Sequence, residues 1–195
     1  MSKQTQNLLQ AFETKRLNYQ KSCNLPKTSN FTLFSTLKGR YFTIVMNLEE
    51  FMDASCKAKQ AQMKDSFAPL KDEEQKYERI IQMGRELPKL SPEFKIPANI
   101  VKGCQSTVYL RSYLKEGNVY FQAESDALIS SGLAAILLHV YNGEPPEVIL
   151  KCPPDYLEEL GISSSLTPNR ANGLYSIHLR MKQEALRLLM ETHRK

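Results

Sequence analysis

The apolar positions keep no lasting period through residues 1–45 and then fall into helical and strand registers in turn. From Asn47 a helix is expected. Asn47 suits a cap, Glu49 and Glu50 suit the positive end of a first turn, and Leu48, Phe51, Met52 and Met63 offer an apolar stripe. A second helix is predicted from Asp72, whose carboxylate can accept from the N–H groups of the following turn. Tyr77, Ile80, Ile81, Gly84 and Leu87 recur on one of its faces. Pro88 ends it, because proline brings no N–H and clashes with the preceding turn.

Residues 88–103 form a connection punctuated by Pro88, Pro92 and Pro97. The period then changes to two. Val108, Leu110, Val119 and Phe121 alternate with Thr107, Tyr109, Arg111, Tyr120 and Gln122, the pattern of half-buried strands, and Glu116-Gly117-Asn118 supplies turn chemistry for a hairpin. Asp126 is the expected cap of a buried helix running to about Tyr141, with Leu128, Ile129, Leu133, Ile136, Leu137 and Val140 around most of its circumference. Gly132 in its middle costs about 1 kcal/mol relative to Ala, and close approach of a neighbouring element is the expected compensation. Gly143, Pro145 and Pro146 punctuate, and short helical pieces lead to Gly161. The last helix is predicted from near Arg170, with Leu174, Ile177, Met181, Ala185 and Leu188 on one face. Helices, a central hairpin and helices again argue for an α+β class: a small antiparallel, hairpin-centred sheet packed against several helices.

Composition narrows the function classes. The 195 residues suffice for one domain with an appendage, and 42% hydrophobic and 24% charged residues are ordinary globular values. No apolar run approaches the roughly 20 residues that span a bilayer, and no apolar secretory core follows the N-terminus, so a membrane partner is not expected. Residues 1–60 hold nine Lys/Arg against four Asp/Glu, whereas residues 61–195 hold 17 of each, so the surplus cation lies outside the expected folded body. Nucleic acid is therefore a poor partner hypothesis. Residues 1–45 contain one acid, Glu13, and ten Ser/Thr. Three readings stay open for them: an organelle transit segment, a disordered extension, or an over-extended reading frame whose true start is Met46. The expected organisation is thus this basic extension over 1–45 and one folded domain over 46–195, in the cytoplasm, or in an organelle if the extension is a transit segment.

Cys23, Cys56, Cys104 and Cys152 lie far apart with no CxxC pair, and His139, His178 and His193 add no metal-ligand spacing. Without a secretory signal a disulfide framework is not expected, and the cysteines read as reduced thiols, with Cys152 a candidate for exposure before Pro153-Pro154. Cys104 differs by its context. Within ANIVKGCQSTVYL (98–110) it follows Gly103, which allows φ > 0 and a sharp turn presenting the next side chain, and Lys102 could place a cation beside it to favour the thiolate. The competing reading is a small buried apolar residue beside a strand.

Beyond about residue 64 the chain resembles the SufE/CsdE family of sulfur-acceptor proteins. The resemblance rests on KYERIIQMGRELPKL (76–90), NIVKGCQSTVYL (99–110), SDALISSGLAAIL (125–137) and LTPNRANGL (166–174), in that order. The Gly-Cys-Gln-Ser and Thr-Pro-x-Arg-x-x-Gly-Leu segments together are specific. Val108-Tyr109 stands where relatives often carry Val-Trp.

The resemblance implies a fold like those of SufE and IscU, and a sulfur relay for iron–sulfur cluster assembly. A PLP-dependent cysteine desulfurase of the SufS or CsdA type would donate persulfide sulfur to Cys104, which would pass it to a SufBCD-type cluster scaffold while stimulating the desulfurase. Gly103, Gln105, Asp126 and Arg170 are the candidate supporting residues. Asp126 is also accounted for as a helix cap, and Arg170 as an ordinary ion-pair partner. The chain itself would need no cofactor and no metal, and would be a carrier working with an enzyme; a homodimer is left open. Two rivals remain: a non-covalent activator in which Cys104 is dispensable, and an independent thiol enzyme, which needs a histidine beside Cys104 that neither His139 nor His178 has the context to supply.

Overall fold

The computed structural model describes residues 54–162, 166–192 and 194, all within the unit Glu49–Lys195. The expectations for residues 1–45 and for Asn47, Leu48, Glu49, Glu50, Phe51 and Met52 lie outside the described residues. A first helix, α1, occupies 54–67 and turns Cys56, Met63 and Phe67 inward. Helix α2 (Glu73–Glu86) starts as expected: the Asp72 carboxylate accepts from the Gln75 N–H at 2.8 Å, and Glu73 and Glu74 lie in the first turn. Leu87 is already extended, and Pro88 follows.

Helix α3 (Leu128–Tyr141) is the centre of the domain, with ten of its 14 residues buried. Its packing answers the question posed by Gly132. A Cβ at position 84 would fall 2.6 Å from the Gly132 amide nitrogen, and one at position 132 would collide with the Ile80 carbonyl. The two glycines let α2 and α3 touch backbone to backbone. The cap of α3 corrects the sequence expectation. Ala127, not Asp126, is the capping position, and the Ala127 N–H donates to Ser125 Oγ at 3.2 Å while Asp126 stays exposed.

Strands β1 (Val108–Lys115) and β2 (Asn118–Ser125) form the antiparallel hairpin, with Val108 opposite Ser125 and Lys115 opposite Asn118. Val108, Leu110, Val119 and Phe121 are buried as their period required. The register leaves Glu116 and Gly117 as a two-residue turn with φ of 53° and 81°, so both central residues are left-handed, and the glutamate carries the steric penalty. Both outer edges are covered. Val101 N–H donates to the Val108 carbonyl at 2.8 Å on one side. On the other, Val119 N–H donates to the Glu144 carbonyl at 2.9 Å, and the Asn142 amide brackets both backbone groups of Phe121.

Short helices α4 (Pro146–Lys151) and α5 (Tyr156–Glu159) lead to the long helix α6 (Pro168–Thr192), which buries Leu174, Ile177, Met181, Ala185 and Leu188. It begins two residues before the expected Arg170, because Pro168 fits the first turn, where its missing N–H costs nothing. The cysteines bring a second correction. Cys56 and Cys152 are joined as a disulfide, and Cys152 is buried rather than exposed. Their side chains meet because α1 lies against the 142–153 stretch. There Glu144, fully buried, takes an ion pair from Lys59 Nζ at 2.6 Å and a hydrogen bond from Ser55 Oγ at 2.8 Å.

His178 is buried on α6 against the Tyr141 ring, 5.2 Å between centroids, and its Nε2 has no hydrogen-bond partner. Burial, reinforced by the nearby Lys182 charge, brings its pKa from 6.5 down to about 4.

Glu116→Asn should raise the urea midpoint, by about 0.5–1 kcal/mol, since asparagine tolerates the left-handed turn better; an unchanged or lower midpoint would count against this account. His178 gives a second expected outcome. Below pH 6.5 the unfolded chain protonates it while the folded chain resists until about 4, so its contribution is complete above 6.5 and is lost as pH falls toward 4. The loss should approach ~3 kcal/mol, and His178→Gln should flatten the midpoint-versus-pH curve over that window.

Candidate functional site

The segment carrying Cys104 leaves the proline-rich connection and enters β1. Its base is tied on both sides. Before it, the Val101–Val108 bond and the bridge between Ile100 and Tyr109 fasten the chain to the sheet, and an Arg180 guanidinium nitrogen donates to the Ala98 carbonyl at 2.8 Å. After it, Ser106 Oγ and Ser130 Oγ share a 2.6 Å hydrogen bond, and the Thr107 carbonyl accepts from Ser125 Oγ at 2.8 Å. The tip is different. Lys102, Gly103 and Gln105 are exposed, and the Cys104 thiol reaches only the Gly173 carbonyl, at 3.6 Å.

Gly103 has φ of 90°, the left-handed turn its sequence position implied. A side chain there would also collide with Ser176 on α6, its Cβ falling 2.6 Å from the serine Oγ. The turn points Cys104 inward, half-buried, at Gly173, whose carbonyl accepts from the thiol at 3.6 Å. Cys104 lines a cavity of about 440 Å³ with apolar walls from Ile81, Leu128, Ile129, Leu133 and Ile177. A second hollow of about 330 Å³, bounded by α2, β2 and α3, contains no cysteine.

The charge state of the thiol departs from the sequence expectation. Burial pushes the Cys104 pKa up from its ordinary 9.0, against the expectation that Lys102 favours the thiolate. Desolvation outweighs a cation on an exposed, solvated side chain. In this conformation Cys104 is therefore a half-buried thiol whose ionisation burial disfavours.

The supporting residues divide. Gly103 and Arg170 are gathered at Cys104. Arg170 lines the cavity, and its guanidinium sits over the Tyr77 ring of α2 at 5.9 Å, so its visible partner is an aromatic face rather than the ion pair considered from sequence. Gln105 is on the cavity rim. Asp126 is exposed and neither lines the cavity nor caps α3. His139 lies at the other hollow and His178 in the core against Tyr141, so neither is placed with Cys104. Sequence reasoning missed Gly173, Ser176, Ser106 and Ser130. Gly173, Ser106 and Ser130 lay within the Thr-Pro-x-Arg-x-x-Gly-Leu, Gly-Cys-Gln-Ser and SDALISSGLAAIL segments and were detectable there; Ser176 lies outside those segments.

Comparison with known proteins agrees with this architecture. Residues 61–185 match the SufE family, described as an Fe–S metabolism associated domain. An uncharacterized SufE-like protein of Synechocystis is 39% identical over 126 residues, covering 65% of this chain and 79% of the relative. The "SufE-like protein 1, chloroplastic/mitochondrial" of Arabidopsis thaliana is 37% identical over 123 residues, covering 63% of this chain but only 33% of that longer protein. A solution structure of a hypothetical protein from Thermus thermophilus has the same fold, with a TM-score of 0.58 and 23% identity over 68% of this chain and 96% of that one.

The sheltered thiol has a direct readout. Alkylation of Cys104 by iodoacetamide, followed by peptide mapping in the native chain, should be slower at pH 7 than for an unstructured cysteine peptide, with its pH profile inflecting above 9.0. A profile inflecting below that value would show that the flanking lysine, not burial, governs the thiol.

Proposed function

This chain belongs to the SufE family, and we propose that it accepts sulfur from the persulfide of a cysteine desulfurase on Cys104 and delivers it to an iron–sulfur cluster scaffold. The observation that carries this reading is the placement of a free, half-buried thiol on a glycine turn whose base is tied down and whose tip is not. Transfer is nucleophilic displacement at sulfur. The Cys104 thiolate attacks the outer sulfur of the donor persulfide, the S–S bond of the donor breaks, and the donor cysteine leaves as a thiolate. One persulfide is consumed and one is formed, with no net redox change.

The chain's own residues supply position and shelter. Gly103 is the hinge that lets Cys104 leave its seat on Gly173, and α6 supplies that seat. Returned to the cavity, a persulfide on Cys104 is held among aliphatic side chains, away from water and stray thiols. Ser106 and Ser130 keep the arm anchored to α3, so that the excursion stays local. The PLP chemistry that first mobilises sulfur belongs to the desulfurase partner, of the SufS or CsdA type, and a SufBCD-type scaffold is the receiver in this reading.

Intact-mass analysis after incubation with a cysteine desulfurase and cysteine tests it. The expected outcome is a gain of one reducible sulfur, located to Cys104 by peptide mapping, and its loss in Cys104→Ser. If Cys104→Ser still stimulates the desulfurase fully while taking up no sulfur, the chain is an activator that binds without carrying sulfur.

A further inference from the structure

Cys56 and Cys152 connect α1 to the stretch after α4, spanning 96 residues of chain. Both are nearly absent from the surface, at 0% and 3% exposure. The Gln60 side chain lies across them: its amide nitrogen donates to Cys152 Sγ at 3.2 Å and to the Pro153 carbonyl at 2.8 Å, and lies 3.9 Å from Cys56 Sγ. The Tyr141 hydroxyl donates to the Cys152 carbonyl at 3.1 Å. The polar grip of α1 on the 142–153 stretch comes from one face of the helix, through Ser55, Lys59 and Gln60. Cys104 shares none of these partners; its thiol is free and meets Gly173.

We propose that Cys56 and Cys152 are a second sulfur site, a reducible pair whose reagent is a dithiol reductant and whose oxidation state sets how firmly α1 is fastened to the domain. Intracellular thiol pools keep most cysteines reduced, and disulfides that form there serve redox chemistry more often than passive bracing. Burial under Gln60 admits a reductant only when α1 lifts, a local opening of one helix rather than global unfolding. The reductant's thiolate attacks one sulfur of the pair and expels the other as a thiolate, giving a mixed disulfide. Gln60 is placed to donate a hydrogen bond to the expelled thiolate. The reductant's second thiol then displaces the remaining sulfur. Two electrons pass to the chain, the reductant leaves as its own disulfide, and its two thiol protons end on Cys56 and Cys152. With the pair reduced, the covalent tie is gone and only noncovalent contacts, among them Lys59–Glu144, Lys64–Glu159 and the Ser55 and Gln60 hydrogen bonds, hold α1, so the helix opens more often.

Thiol counting and hydrogen exchange on the full chain test the proposal. Purified without reductant and denatured, two of the four cysteines should react with a thiol reagent, and all four after dithiothreitol. Reduction should lower Tm by roughly 5–10 °C and speed exchange of residues 54–67. Cys104→Ser should keep the full shift, which separates this site from sulfur acceptance, and Cys152→Ser should abolish it. Four reactive thiols before any reductant, or unchanged melting and exchange of 54–67 after reduction, would overturn the proposal. Should Cys152→Ser not fold, the wild-type comparison before and after reduction decides alone.

Discussion

The backbone contact between α2 and α3 at Gly84 and Gly132 is the constraint from which the rest of the domain is arranged. Helix α3 buries ten of its 14 residues, so it needs cover over most of its circumference. Side chains at the crossing would hold α2 off by several ångströms and open voids on either side. Removing both Cβ atoms closes that gap, and the roughly 1 kcal/mol that a mid-helix glycine costs is offset by the packing it permits. With α2 fixed on one side of α3, the hairpin and α6 cover the others. The groove left where α2, the start of α3 and the start of α6 converge is the Cys104 cavity.

That origin explains why the cavity combines rigid walls with a loose occupant. Its lining comes from helices whose opposite faces lie in the core, and their positions are set by close packing. The Cys104 tip is held by a single weak sulfur hydrogen bond, whereas the flanks of its loop are held by backbone pairing and by serine hydroxyls. Local opening free energy follows such differences in attachment. The proposed relay would be served by this combination of a rigid seat and a singly attached tip, with burial raising the pKa of the seated thiol.

Much of this was legible in the sequence because it depends on local rules. The alternation through Val108–Leu110 and Val119–Phe121, the Asp72 cap, the Pro88 stop and the stripe from Leu174 to Leu188 each state their burial in their own spacing. Gly132 even announced the close approach. What failed to be legible depends on juxtaposition across the chain. Asp126 has the right residue type for a cap, yet Ala127 holds the capping position without a side-chain bond, and the Ser125 hydroxyl accepts from its N–H while donating to the Thr107 carbonyl. Lys102 is near the cysteine in sequence, but the thiol faces Gly173, and burial decides its proton affinity. Glu144, between Gly143 and Pro145, has no local signal of burial, whereas Lys59 and Ser55, far upstream, make it a buried carboxylate with partners. The Cys56–Cys152 pairing has no local signature at all.

The two proposed sulfur chemistries also impose a requirement on each other. A persulfide on Cys104 would react readily with any disulfide it could touch, because exchange proceeds by direct sulfur-to-sulfur attack. A relay and a redox pair can share one small domain only if their sulfurs never meet. Here the pair is held by α1 and the stretch after α4, under Gln60 and Tyr141, whereas Cys104 lies on the loop before β1 and meets the first turns of α6. The α2–α3–α6 groove that Cys104 lines contains neither partner of the disulfide. Burial therefore acts through different elements at the two places: α1 and Gln60 cover the pair, and the α2–α3–α6 groove covers the single thiol.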